Sequence, residues 1–356
     1  MTGKERIQKL LRHEKPDRIG AYEHLWGDTQ KKWEEEGHIA PGQSVEDAFD
    51  FDIVECWPFK LVADLSFEPQ VVAETEETIT LLDGNGATLR RHKQRTGTPE
   101  HIGYRVTERE GWEQIKHLLT PDDERIRFEE YRQARERAHA AGRFFTCSSV
   151  NVFEAMHPVC GHVNLLMGMA LDPEWVMEMA QTYAKLLVKL QAKLFEQEGY
   201  PDAIWFYEDL GFKEKPFMSP TMYEELLEPY HKYTIDYAKS LGLPVIMHSC
   251  GYVEPLMPGI VRAGIDCLQA IEVKAGMDLC KLWREYGDKI AFMGGMDIRT
   301  LLSNDLATVD AELEAKIPVM KEGFNYILHT DHSVPGEVEY GTYRHFLEHG
   351  LALGSY

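Results

Sequence analysis

Short apolar runs alternate with amphipathic helical stretches along most of the chain. The runs with the length and composition of buried strands are 144–150, 203–207, 245–247, 267–270, 290–293 and 326–328, preceded by 19–25 and 51–57. Helical patterns lie between them, at about 127–141, 173–198, 220–241, 253–263, 305–321 and 340–350. Eight strands that alternate with helices through short links predict parallel pairing. The pattern therefore predicts an α/β protein with the (β/α)8 architecture of a TIM barrel.

Residues 71–96 interrupt this alternation. Two β-rich segments flank a turn sequence, Asp-Gly-Asn-Gly at 83–86, whose residues tolerate positive φ. We expect an N-terminal β-hairpin here, inserted into a barrel that occupies residues 1–356 as a single domain. An open, doubly wound sheet is the alternative architecture, but no glycine-rich phosphate loop follows the first predicted strand.

Composition narrows the classes of partner and compartment. The formal net charge of −21 over 356 residues argues against nucleic acid and anionic membranes as partners. The six cysteines form no Cys-x-x-Cys motif, which is the usage of a reducing compartment. The polar amino terminus lacks a signal-peptide core, and no apolar run is long enough for a membrane span. The expected location is the cytoplasm.

Polar residues follow the predicted strands, at the carboxyl ends where a TIM barrel places its active site. They include Asn151, Glu208, Asp209, His248, Cys250, Glu272, Asp297, Asp331 and His332. His248 and Cys250 stand two positions apart, so both side chains leave an extended strand on the same side. Imidazole and thiolate are common zinc ligands, and the pair therefore indicates a zinc site. A core histidine beside a reduced cysteine is the alternative.

A zinc site of the catalytic kind needs a third protein ligand and an open fourth position. His332 is the predicted third ligand because it follows the last strand, with Glu208 or Asp209 as the next choice. We also expect Glu208, Asp209 and Asp331 to be catalytic acids. Asp297 is expected to cap the following helix instead.

Four segments carry a resemblance to a known family. They are 208–223, 248–251 (His-Ser-Cys-Gly), 294–297 (Gly-Gly-Met-Asp) and 331–335 (Asp-His-Ser-Val-Pro). In this order they resemble the uroporphyrinogen decarboxylase superfamily, which implies a (β/α)8 barrel. One branch of the superfamily decarboxylates uroporphyrinogen without a metal. The other comprises corrinoid-dependent methyltransferases, in which a His-x-Cys motif and a later cysteine bind zinc.

The region near the first predicted strand favours the methyltransferase branch. The decarboxylases grip substrate carboxylates with an Arg-Gln-Ala-Gly-Arg segment, whereas residues 21–28 here contain two acids and no arginine. The hairpin at 71–96 is also similar to one that the methyltransferases carry. By the resemblance, His332 stands where those enzymes have their later zinc-binding cysteine.

The resemblance implies zinc and a corrinoid (cobalamin) as cofactors, with the corrinoid presented by a carrier protein. The implied reaction moves a methyl group between a small molecule, such as a methyl ether, amine or thiol, and the corrinoid cobalt. His24, Trp26 and Asn151 are the predicted substrate contacts, and Trp57 is a further wall residue unless it only packs in the core. A tetrapyrrole decarboxylase and a catalytically silent corrinoid- or porphyrin-binding protein are the alternatives.

Overall fold

The fold is an eight-stranded parallel barrel with a separate antiparallel sheet, seen in a computed structural model that describes residues 1–94 and 99–356. The strands are β1 (Gly20–Ala21), β2 (Ile53–Cys56), β3 (Gln70–Glu74), β4 (Thr78–Leu82), β5 (Ala87–His92), β6 (Glu100–Tyr104), β7 (Phe144–Val150), β8 (Ala203–Tyr207), β9 (Val245–Ser249), β10 (Cys267–Ala270), β11 (Ala291–Gly294) and β12 (Tyr326–Leu328).

The barrel sheet has the strand order β1-β12-β11-β10-β9-β8-β7-β2, and all its pairings are parallel. It is nearly closed, because the backbone N–H of Asp52 donates to the carbonyl of Ala21 at 2.9 Å between the two end strands. The predicted TIM barrel is confirmed, and each predicted strand is present within a few residues. Barrel strands are covered on both faces, which explains why they form continuous apolar runs in the sequence.

The antiparallel sheet, in the order β3-β4-β5-β6, lies between the second and third barrel strands in the chain. The predicted hairpin is its middle pair, β4 and β5, joined by a turn in which the Asp83 carboxylate accepts the N–H groups of Asn85 and Ala87 at 2.9 Å each. The insertion is thus a four-stranded sheet and not a hairpin alone. Residues 95 and 96 of the predicted hairpin lie outside the described residues.

The helices surround the barrel and fill the links between its strands. They are α1 (Gly3–Leu10), α2 (Gly27–Glu35), α3 (Val45–Phe49), α4 (Arg109–Ile115), α5 (Phe128–Ala140), α6 (Val152–Leu171), α7 (Pro173–Glu198), α8 (Pro220–Leu226), α9 (Glu228–Ser240), α10 (Met257–Ala263), α11 (Leu279–Tyr286), α12 (Ile298–Leu302), α13 (Leu306–Met320) and α14 (Tyr340–Leu353). The helix predicted over 220–241 divides at Leu227, and Asp297 caps α12 as predicted. Within the described ranges, no helix is both long and apolar enough to cross a bilayer.

Helix α6 is absent from the sequence prediction, although it spans 20 residues. Pro158 and Gly161 lie within it, and both residues ordinarily interrupt helices. Gly161 does interrupt it, with φ 77° and ψ 152°, so α6 is two helical segments joined by a sharp kink. The kink shapes one side of the barrel mouth.

Candidate active site

Three potential metal ligands converge at the carboxyl ends of the neighbouring strands β8 and β9. Asp209 follows β8, His248 lies in β9, and Cys250 directly follows that strand. Nε2 of His248 lies 3.2 Å from Sγ of Cys250 and 3.2 Å from Oδ1 of Asp209. One ligand atom from each residue lies within 4.8 Å of the other two. The His-x-Cys pair is therefore together as predicted, and Asp209 joins it; we call these three residues the ligand cluster.

The ligand cluster has the donors and the spacing that a tetrahedral zinc ion requires. Zinc bonds of about 2.0–2.3 Å place two ligand atoms about 3.3–3.6 Å apart in a tetrahedron. The two separations of 3.2 Å are close to this value. One nitrogen, one sulfur and one carboxylate oxygen make a three-ligand set that leaves a fourth position for a substrate atom.

Gln269 fixes the ring of His248 from the far side. Nδ1 of His248 donates a hydrogen bond to Oε1 of Gln269, which leaves Nε2 for the ligand cluster. Burial would lower the pKa of His248, but Cys250 and Asp209 raise it well above its usual value. Burial would likewise raise the pKa of Asp209, but the charge and hydrogen bond of His248 lower it. The imidazole proton therefore occupies the place that a metal cation would take on binding.

Two glycines hold the loops of the ligand cluster together. A Cβ on Gly211 would lie 2.4 Å from the carbonyl oxygen of Cys250, and one on Gly251 would lie 2.3 Å from the carbonyl carbon of Gly211. Gly251 also has φ 75°, in the left-handed region that favours glycine. The N–H of Tyr252 donates to the carbonyl of Phe212 at 2.8 Å. The loops after β8 and β9 thus pack backbone to backbone and fix Cys250 relative to Asp209.

His332, the predicted third ligand, lies apart from the ligand cluster. Its side chain is exposed, and its ring centroid lies 6.0 Å from that of Trp26. Together with Trp26 it lines a separate cleft of about 230 Å³ beside Asp331. Among the described residues, Asp209 and not His332 completes the set with His248 and Cys250.

A polar network lies inside the barrel mouth beside His248. Nδ1 of His24 lies 3.0 Å from Nε2 of His329, and Nε2 of His24 lies 3.1 Å from Oε2 of Glu55. The hydroxyl of Tyr207 lies 2.9 Å from the same Nε2. The Tyr207 ring stacks on His248 with centroids 4.7 Å apart. The predicted substrate contact His24 is therefore the centre of a network that extends to the ligand cluster.

The ionisation of this network follows from its burial. Burial would raise the pKa of Glu55, but the hydrogen bond and charge of His24 lower it, so the group is a carboxylate. Burial raises the pKa of Tyr207 well above its usual value, and Glu55 adds to the effect, so the phenol keeps its proton. Burial lowers the pKa of His329 well below its usual value. The network thus contains a protonated phenol and a carboxylate, both beside Nε2 of His24.

Sequence reasoning missed Glu55, Tyr207, Gln269 and His329 as site residues. Three of them, Glu55, Tyr207 and Gln269, lie inside the apolar runs that were interpreted as core strands, and His329 directly follows another run. An acid or a glutamine inside a short buried apolar run is uncommon. Glu55 in the run 51–57 and Gln269 in the run 267–270 could therefore have been identified as polar residues inside apolar runs.

Glu208 is fully buried and faces a helix, away from the barrel mouth. Its carboxylate accepts the N–H groups of Phe153 at 2.7 Å and Glu154 at 3.0 Å, in the first turn of α6. It also pairs with the buried His231. These contacts occupy both carboxylate oxygens. Of the two adjacent acids predicted as catalytic, only Asp209 reaches the ligand cluster.

Asn151 and Asp331 are likewise engaged in contacts between structural elements. Asn151 is fully buried and exchanges hydrogen bonds with the Thr234 hydroxyl at 3.1 and 3.2 Å, so its amide is not open to a substrate. Asp331 accepts the N–H groups of Val273 and Ile298 at 2.8 Å each. Burial raises the pKa of Asp331 to about 6. Its position indicates that it joins two neighbouring loops.

An open cleft of about 410 Å³ lies beside Cys250. Its walls are Gly211, Phe212, Lys213, Glu214, Cys250, Gly251, Glu272, Lys274 and Ala275. Trp57 adds an aromatic wall near the polar network, with its ring 4.5 Å from that of Tyr207 and 39% of its surface exposed. The site therefore combines the ligand cluster, a polar network and partly exposed aromatic surface.

Comparison with known proteins identifies the family. The sequence profile described as uroporphyrinogen decarboxylase (URO-D) matches residues 108–350, well over half of the chain. The chain belongs to the uroporphyrinogen decarboxylase family. Its matched region includes α6, the ligand cluster and six of the eight barrel strands.

Comparison with solved structures shows a similar fold. A methyltransferase from Methanosarcina mazei is similar over 99% of this chain and 98% of its own, with a TM-score of 0.66 and 13% identity. A Xaa-Pro dipeptidase with bound methionine (TM-score 0.31, 15% identity, 63% and 58% covered) and an A. niger ochratoxinase (0.29, 12%, 74% and 77%) are too distant to support an argument. No curated protein matches the sequence significantly.

Proposed function

We propose that the protein transfers a methyl group between a small molecule and the cobalt of a corrinoid that a carrier protein presents. The observation that supports this most is the convergence of Asp209, His248 and Cys250 at the barrel mouth. A carboxylate, an imidazole and a thiolate suit zinc, a Lewis acid that can act on a sulfur, oxygen or nitrogen atom.

The metal we propose is zinc, held by the ligand cluster. Its donor set and spacing fit, and Gln269 orients the histidine in the way that outer partners of zinc ligands do. When bound, zinc would polarise the heteroatom that carries the methyl group or lower the pKa of a thiol acceptor.

We propose that the polar network is the proton donor and acceptor of the reaction. The Tyr207 hydroxyl and the Glu55 carboxylate lie on the same nitrogen of His24, so a proton can be given to or taken from a substrate heteroatom there. Trp57 and Tyr207 provide aromatic surface for the organic part of the substrate. This arrangement suits a small molecule with one polar atom beside an apolar group.

The cleft beside Cys250 suits a corrinoid that approaches from outside. Its volume of about 410 Å³ lies at the small end of ligand pockets, which span about 300–1,000 Å³. The cleft admits a small substrate, and we propose that the large macrocycle stays at its opening on the carrier protein. Lys213 and Lys274 at the rim are available to acidic groups of that partner.

Charge disfavours the decarboxylase alternative. A substrate with many carboxylates needs several cationic contacts in one pocket, and each such hydrogen bond contributes about 1.5–3 kcal/mol. The cleft lining carries two lysines against two glutamates, and Glu55 and Asp209 add negative charge deeper in the mouth. The net charge of −21 acts in the same direction.

The test measures metal and methyl transfer on the same preparations. Wild type purified with zinc and without chelator should contain about one or more zinc ions per chain. It should convert reduced corrinoid to its methylated form with one of a panel of methyl ethers and amines, or should transfer the methyl group of a methylated corrinoid to a thiol. Cys250→Ser should lose methyl transfer and the zinc of the ligand cluster, so its zinc content should fall by about one ion per chain. Cys280→Ser, at another half-buried free cysteine, should keep both.

Two outcomes would contradict the proposal. The first is wild type without zinc that still transfers methyl groups at the full rate. The second is the release of CO2 from uroporphyrinogen at an enzymatic rate with no response of the corrinoid to any compound of the panel.

A further inference from the structure

A second group of three histidines lies at the barrel mouth, outside the ligand cluster. His101 belongs to β6 of the antiparallel sheet, and His157 and His162 belong to α6. One ring nitrogen from each lies within 4.8 Å of the other two. All three side chains are half-buried. We call these residues the histidine triad.

The kink in α6 is what brings two of these histidines together. In a straight helix, residues five apart point about 140° away from each other. Here the rings of His157 and His162 stack with centroids 4.2 Å apart and an angle of 21° between their planes. The non-helical Gly161 lies between them, and a Cβ on it would lie 2.3 Å from the Tyr104 ring. Only glycine allows the kink and the close approach of β6.

The outer contacts of the triad resemble those of metal-binding histidines. Nε2 of His157 lies 2.9 Å from Oε1 of Glu154, while Nδ1 of His157 is buried and has no hydrogen-bond partner in the described part of the chain. The Tyr104 hydroxyl lies at hydrogen-bonding distance from Nδ1 of His101. A histidine that ligates a metal has one nitrogen held by a carboxylate or hydroxyl and the other left for the ion.

The geometry points to a second metal site, in which His101, His157 and His162 bind one divalent transition-metal ion and tie the antiparallel sheet to α6. Three imidazoles suit zinc, cobalt, nickel or copper and do not suit magnesium or calcium, which prefer oxygen ligands. Burial lowers the pKa of His157 and of His162 to about 4, so both rings are in the neutral form that ligates.

A packed cluster of aromatic rings is the simpler interpretation of the triad, and one observation separates the two. Stacking accounts for the parallel planes, and Phe217 extends the stack with its centroid 4.9 Å from that of His162. Stacking does not account for the buried Nδ1 of His157 without a partner, since buried polar atoms are ordinarily hydrogen-bonded. An ion would satisfy it.

Titration with Co2+ tests the site, because cobalt reports its ligands by absorption. Wild type should bind two equivalents, one with the sulfur-to-cobalt charge-transfer band of Cys250 and one without it. His101→Gln and His162→Gln should each bind one equivalent and keep the band. Cys250→Ser should bind one equivalent without the band, and this ion should raise its midpoint of thermal unfolding.

The matched control is His13→Gln, at a half-buried histidine outside both groups, which should bind two equivalents. Circular dichroism confirms that each variant is folded, and His101 lies on an edge strand where the fold should tolerate glutamine. Wild type that binds a single cobalt, lost in Cys250→Ser, would overturn the second site. So would two equivalents retained in both triad variants. Neither result depends on methyl transfer.

Discussion

The two ends of the barrel both bury charged side chains, but they partner them differently. At the amino-terminal end, Asp52 is nearly inaccessible and accepts hydrogen bonds from Arg6 at 2.5 Å, from Arg18 at 2.8 Å and from the N–H of Ala21 at 2.8 Å. At the carboxyl end, His248 and Asp209 are paired with each other and both are partly exposed, and the neighbouring Cys250 lines an open cleft. At the amino-terminal end the buried charges stabilise the fold, whereas at the carboxyl end the donor atoms of the ligand cluster can bind a ligand.

The largest effect on stability should come from the amino-terminal end. Asp52→Asn leaves two arginines without a buried counter-charge, and loss of one partner from a buried ion pair costs about 3–5 kcal/mol. We expect that decrease in the free energy of unfolding, measured by urea denaturation. The exposed Asp50, two residues earlier, provides the control: Asp50→Asn should change it by less than about 0.5 kcal/mol. An Asp52→Asn protein as stable as wild type would remove the contrast between the two ends.

Adjacent acids allow the same contrast within two residues. Glu208→Gln removes a charged acceptor from the first turn of α6, so it should decrease the free energy of unfolding by about 1.5–3 kcal/mol and leave zinc content unchanged. Asp209→Asn should do the reverse and weaken zinc binding at least about tenfold with little change in stability. Urea denaturation and competition with a zinc chelator measure the two quantities. Equal profiles for the two variants would show that the acids share one role.

A smaller effect is expected one contact away from the ligand cluster. Gln269→Leu removes the acceptor for Nδ1 of His248, and loss of such an outer partner typically costs about 10–100-fold in metal affinity. Chelator competition should show this decrease. Gln191→Leu changes another fully buried glutamine, on α7, and should leave zinc affinity as in wild type. A normal affinity in Gln269→Leu would mean that the ring is oriented by its stacking on Tyr207 alone.

The smallest effect concerns acid pH. The hydrogen bond from Arg6, opposed by burial, lowers the pKa of Asp17 from 3.8 to about 2. A lowered pKa gives stability that is present above pH 3.8 and is lost as the pH falls towards 2. Because Asp17 is 42% exposed, solvent screening keeps this contribution to within about 1 kcal/mol. Asp17→Asn should therefore flatten the stability profile between about pH 4 and 2 and leave zinc content unchanged.

The barrel could be predicted from the sequence because its strands are largely buried on both faces and most of them alternate with helices. The run 245–247 was recognisable from three apolar residues between a proline and a histidine. Helix α6 could not be predicted in the same way. Its Pro158 and Gly161 have the local signature of a loop, and Gly161 does leave the helical conformation, but the segments on both sides of it are helical.

The ligand cluster was predictable only in part, for a related reason. His248 and Cys250 lie on one strand end, where spacing alone determines that the side chains share a direction. The third ligand comes from another loop, whose course depends on contacts between loops. Asp209 reaches the pair because the Gly211 loop packs on it, whereas the loop of His332 leads to Trp26. Neither of these contacts between loops can be predicted from composition or from residue spacing.

The backbone packing of Gly211 against Gly251 means that the two loops carrying Asp209 and Cys250 can only evolve together. Because a Cβ on either residue would lie within 2.4 Å of the other loop's backbone, no side chain can be introduced at one position without displacing the opposite loop. A lineage that diverges in substrate can therefore change the walls freely, at Phe212 or Trp57, while this pair of positions stays fixed. Related sequences should therefore vary around the Gly211–Gly251 contact and keep both glycines.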